Sequence, residues 1–156
     1  MKFGRIMILV GIVATLGLVA AGVQGYGGAR EGAALREHIL LGLVALLLFV
    51  LAHCWVLVYL VGIDRVLRRA PRDAGRDEAP EPRLRTFRGL TLSLLLAAVL
   101  GGVVAFVLGT EVYSGRVSAG LHGAFLWLTV VLQAAAVAVE WRALAASERA
   151  LRKLQA

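Results

Sequence analysis

The sequence predicts an all-α integral membrane protein, a four-helix bundle assembled from two parallel repeats of a two-helix hairpin. Three observations predict it: four long uncharged runs, a lopsided distribution of basic residues, and an internal match at a fixed offset. Of the 156 residues, 60% are hydrophobic and the mean hydropathy is +0.81. A soluble domain of this length has too little interior to hide that much apolar surface, so the bilayer is its solvent.

The uncharged runs are Ile6 to Ala29, His38 to Ile63, Gly89 to Thr110 and Val117 to Val139. Each exceeds the roughly 20 residues that span a hydrocarbon core as a helix. They predict helices over about 4–26, 35–69, 87–111 and 116–154. Residues 1–70 then form the first hairpin and 87–156 the second. The first run follows "MKFGR" and contains "VAAG", as a secretory signal would. Its length and its counterpart later in the chain favour an anchor that stays.

Between the hairpins lies "PRDAGRDEAPEPRLRT", residues 71–86, which holds all three prolines and is densely charged. It reads as a flexible linker. The net charge of +7 is no sign of nucleic-acid binding, because the basic residues follow membrane topology. Fourteen of the seventeen lie at the N-terminus, between the second and third runs or after the fourth; only Arg30, Arg36 and Arg116 occupy the other two loops. That bias places both termini and the linker in the cytoplasm, with a bacterial cytoplasmic membrane as the setting. The basic rim also suits anionic lipid head groups.

Shifting the sequence by 84 residues lays "ATLGLVAAGVQG" on "AVLGGVVAFVLG", His38 on His122, and "DRVLRR" on "ERALRK". The ungapped match has 15 identities in 72 positions, about twice what a biased apolar composition yields by chance. Both halves begin and end on the same side, so the repeats would be parallel. Ala14, Gly17, Ala21 and Gly25 share one face of the first helix, and Ala98, Gly101, Ala105 and Gly109 repeat it on the third. Small faces let helices approach closely in lipid.

Polar groups inside the membrane are costly, which makes them the functional candidates. On the second helix His38 and His53 are 15 residues apart, about 22 Å of rise and about 60° of rotation. On the fourth helix His122, Thr129, Gln133 and Glu140 fall within roughly 40° of one line, a stripe that faces the bundle interior. The offset sets relative depth. His38 and His122 are equivalent, near the outer ends of parallel helices. His53 is level with Val137, between Gln133 and Glu140.

Two sites follow. The outer pair, His38 and His122, has the chemistry of bis-histidine haem b ligation, one imidazole from each of two facing helices. Gly25 and Gly109 lie at that level, and Arg30, Arg36 and Arg116 are placed to meet propionates. The inner group, His53 with Thr129, Gln133 and Glu140, suits a quinone head or a proton path. The favoured function is a membrane redox subunit resembling a b-type cytochrome anchor, which passes electrons between a partner and the quinone pool. It would work beside other membrane or redox subunits, or as a homodimer. Two rivals fit the same residues: a cofactor-free structural or assembly subunit, and a small transporter using the polar stripe. The sequence carries no nucleotide loop, nucleophile triad or paired catalytic carboxylates, so no self-contained enzyme is read from it. Cys54 is the sole cysteine and forms no intrachain disulfide.

Overall fold

A computed structural model describes residues 2–26, 32–73 and 82–155. Four helices make up this part of the chain: α1 (Lys2–Tyr26), α2 (Gly32–Asp73), α3 (Pro82–Tyr113) and α4 (Ala119–Gln155). All four contain stretches long and apolar enough to cross a membrane. Their outward faces carry Leu9, Leu16, Leu47, Val58, Leu100, Val107, Leu128 and Val131, all exposed, as a surface solvated by lipid tails requires.

The helix ends differ from expectation for local reasons. α2 runs on to Asp73 and takes in Pro71, two residues from its end. α3 starts at Pro82 and not near 87, because proline is well placed at a first helical position. Of the linker expected over 71–86, residues 71–73 and 82–86 are helical and 74–81 lie outside the described residues. α3 closes in a Schellman motif. Gly115, at φ +73, donates to the Val112 carbonyl at 3.0 Å, and Arg116 N–H donates to Glu111 O at 2.9 Å. Glycine is needed there because the conformation is left-handed. Ser118 then caps α4, its hydroxyl accepting from Leu121 N–H at 3.3 Å, which delays the start of α4 from the expected 116 to Ala119.

The strongest packing is within the pairs α1–α2 and α3–α4. α4 also touches α1 and α2, α2 touches α3, and α1 and α3 stand apart. The small faces carry this packing. A methyl group added at Gly17 would lie 3.0 Å from Ala45 Cβ, and one at Gly101 would lie 3.0 Å from Thr129 Oγ1. These two contacts are related by the 84-residue offset at both partners. Ala14, Ala21, Ala98 and Ala105 are all buried.

The offset relation fails between the hairpins. Gly4, Gly11 and Gly22 bring α1 onto Leu144, Val137 and Leu126 of α4. Their counterparts on α3 are Arg88, Leu95 and Phe106; none is small, and α2 and α3 pack less closely than α1 and α4. An open groove of about 300 Å³ lies on that side, lined by Gly32, Leu35, Arg36, Ile39, Leu40 and Tyr113.

From one end to the other the core is layered. Beneath the loops that join the helices of each hairpin comes Leu18, Ala45, Ala105 and Leu126. Next are Ala14, Phe49 and Ala98. At the end that carries the linker, Ile8, Val56, Leu60, Ala143 and Leu144 close the bundle. A fully polar layer interrupts these apolar ones between the second and third.

Candidate functional site

His38 and His122 lie at the short-loop end and face each other across the bundle. Their ring centroids are 6.3 Å apart with planes at 87°. The pair stands edge to face, as Phe49 and His53 do at 4.7 Å, but with its ring centres further apart. His38 Nδ1 lies 3.0 Å from the Ala21 carbonyl oxygen, and His122 Nδ1 lies 2.9 Å from that of Ala105. A carbonyl only accepts, so each Nδ1 carries the proton and donates it. Each Nε2 therefore keeps its lone pair in the neutral ring.

The main chain of each preceding helix also sets the ring position. A Cβ on Gly25 would lie 3.0 Å from His38 Cε1, and one on Gly109 would lie 3.3 Å from His122 Cε1. Any larger residue would push the ring off its carbonyl. Hydrogen bond, glycine contact and histidine all recur at the same 84-residue offset. Both histidines are partly buried.

The inner polar layer has a different character. His53, Gln133 and Glu140 are 0%, 0% and 2% exposed, so the cluster presents no open edge. Gln133 Nε2 donates to the Gly11 carbonyl at 3.4 Å. That contact orients the amide, because the opposite setting would oppose two carbonyl oxygens. Gln133 Oε1 then faces His53 Nε2 at 2.7 Å and accepts its proton. On the other side of the ring His53 Nδ1 lies 2.5 Å from Glu140 Oε1. Thr129, also fully buried, bonds instead to its own helix, donating to Phe125 O at 2.8 Å. It packs on Gly101 and stands outside the network.

The remaining candidates divide. Arg36 is exposed and lines the groove with Tyr113. Arg116 is engaged by Glu111 at 2.9 Å and by Ser114 at 3.0 Å. Arg30 lies outside the described residues. No cluster of three or more His, Cys, Asp or Glu side chains that could hold a bare metal ion occurs among the described residues. Haem iron needs only two protein ligands, since the porphyrin supplies four.

Sequence reasoning did not assign roles to four groups: the Ala21, Ala105 and Gly11 carbonyls, and Phe49, whose ring flanks His53. The two alanines lay in the repeated small face, but no pattern of side chains announces that a backbone oxygen will be used. No family model, curated protein or solved structure matches this chain.

Proposed function

We propose that this protein is a small membrane cytochrome of the b type, an electron-carrying subunit in which His38 and His122 hold haem between them. The observation that carries the reading is the spacing of the two rings. Two iron–nitrogen bonds of about 2.0 Å, plus about 1.1 Å from each nitrogen to its ring centre, sum to roughly 6.2 Å. The rings are 6.3 Å apart.

The protonation state supports the same reading. Both histidines present Nε2 as a free lone pair, and both are oriented through Nδ1 by a backbone carbonyl. Such a second bond fixes the tautomer and raises ligand basicity. Haem, when bound, supplies a one-electron carrier. The chain supplies two preset ligands, glycines that leave room for their rings, and the Arg36 and Arg116 cations at the same end.

In this reading the halves are parallel repeats, and both termini and the linker lie in the cytoplasm of a bacterium. The basic rim rests on anionic head groups. A membrane quinone and a partner redox subunit are the proposed exchange partners.

The test is a visible spectrum of the detergent-purified protein. A low-spin bis-histidine spectrum is expected, lost in His38→Ala and in His122→Ala and kept in His53→Ala. A colourless protein that also fails to take up added haem leaves it as a structural subunit. Reporter fusions after Ala79 and Ala156 test the orientation; an external signal from either overturns it.

A further inference from the structure

The polar layer holds a proton that no ligand role accounts for. Gln133 accepts from His53 Nε2, so that proton is fixed. Between His53 Nδ1 and Glu140 Oε1, 2.5 Å apart, a single further proton is shared. It can reside on nitrogen, giving imidazolium and carboxylate, or on oxygen, giving imidazole and carboxylic acid. Both arrangements are neutral overall, and the proton moves between them by a displacement of well under 1 Å. Adding a second proton gives imidazolium beside a carboxylic acid, a net charge of +1 in the middle of the bundle. Only a compensating negative charge makes that state favourable in so dry a place.

We propose that His53 and Glu140 form a one-proton site that loads when an electron arrives at the His38–His122 pair. The coupling rests on the haem reading above; the shared proton does not. Three features support it. First, the separation of the two sites along α2 is 15 residues, about 22 Å, and the intervening core is Leu18, Ala45, Ala105 and Leu126, then Ala14, Phe49 and Ala98. Such layers contain no mobile ions and screen an added charge weakly.

Second, the triad has little competition. From α1 the nearest charged group is Arg5, which pairs with Glu148 at 3.7 Å. From α2 it is Asp64, beyond the Val56–Leu60 layer. Among the described side chains of α3 the polar group at that end of the core is the hydroxyl of buried Thr91. On α4, Arg142 is two residues past Glu140 and exposed, Ser147 and Glu148 lie seven and eight residues past it, and Arg152 also approaches Glu148, at 3.9 Å. The other charges near the triad are thus gathered at the linker end, where Glu148 already has cationic partners.

Third, the triad has no image in the other half. The positions 84 residues from His53, Gln133 and Glu140 are Val137, Phe49 and Val56. A purely structural polar layer inherited from one ancestral hairpin would appear twice.

The experiment is a potentiometric titration of the full-length, haem-loaded protein in detergent across a pH series. Reduced-minus-oxidised infrared difference spectra of the same protein are recorded in H₂O and D₂O. The variants are Glu140→Gln and His53→Gln, with the low-spin spectrum as the check on folding. If reduction draws in a proton, the wild-type midpoint potential falls as pH rises. Its limit is the 59 mV per tenfold change in proton activity of a one-electron couple. This dependence is expected to flatten in both variants. The infrared spectra should contain a carboxyl band that shifts in D₂O and is absent from Glu140→Gln. A normal spectrum with a pH-independent potential, or with a slope unchanged in the variants, overturns the coupling and leaves the haem reading standing. Absence of any low-spin spectrum overturns the haem reading, and the coupling with it. Absence of the Glu140 band overturns the proton site itself.

Discussion

The two polar sites are built on opposite plans. At the short-loop end each hairpin repeats the same three parts: a histidine, the carbonyl that accepts from its Nδ1, and the glycine under its ring. At the inner layer one hairpin gives His53 and Gly11 O, and the other gives Gln133 and Glu140. The outer site is a matched pair completed by facing; the inner one is a single network completed by joining. The difference has energetic meaning. Truncating one outer histidine leaves the other satisfied by its own hairpin. Removing one inner member strands its partners in a place without water.

That contrast can be broken by measurement, starting with the largest effect. His53→Leu removes the acid-base partner that buried Glu140 has among the described residues and is expected to destabilise the protein by about 3–5 kcal/mol. Unfolding in detergent measures it. The double variant His53→Leu/Glu140→Leu should recover much of the loss, since no orphan remains. A double variant as unstable as the sum of the singles would mean that the two side chains do not act as a unit.

Next comes Gln133→Leu, which deprives His53 Nε2–H of its acceptor, while Gly11 O keeps the Thr15 hydroxyl as a donor at 2.8 Å; a loss of about 1–3 kcal/mol is expected. At the outer end the comparison sharpens into a ratio. Gly25→Ala and Gly109→Ala should each displace a histidine ring, lowering stability by about 1 kcal/mol or a little more by crowding. Gly25→Ala should be the worse, because its methyl would come to 3.0 Å of the ring against 3.3 Å. Opposite ranking, in melting temperature or in the low-spin spectrum, would mean that the closer approach at Gly25 does not set the cost. The smallest effect belongs to Arg116→Ala. Its pair with Glu111 is largely solvent-exposed, and the change should stay within about 1 kcal/mol.

How much of this was legible in the sequence follows from the physics of each part. Four helices were legible because a run of uncharged residues longer than a bilayer has few other stable forms. His38 and His122 were legible as a pair because the offset fixes equal depth. The grouping of His53 with Gln133 and Glu140 was legible from rise per residue on parallel helices. Thr129 shared their stripe yet bonds within its own helix, since a hydroxyl on a helix has an acceptor one turn back. Backbone acceptors were illegible in principle, because every residue carries one. The unequal spacing between hairpins was written in the glycines at 4, 11 and 22 and in their bulky counterparts, but its meaning depends on which helices are neighbours. The start of α3 at Pro82 differs from the expected one near 87 because proline is well placed at a first helical position.

The placement of each Nδ1 acceptor within its own hairpin bears on biogenesis. When the first 73 residues have entered the bilayer, His38 already has the Ala21 carbonyl and the space over Gly25 that hold it; nothing from the second hairpin is required. The second hairpin repeats this for His122. Each hairpin thus carries what holds its own imidazole, and the span between the imidazoles needs both hairpins in place. Two polypeptides divided within residues 74–81 would then report their own assembly, with neither alone presenting the facing pair.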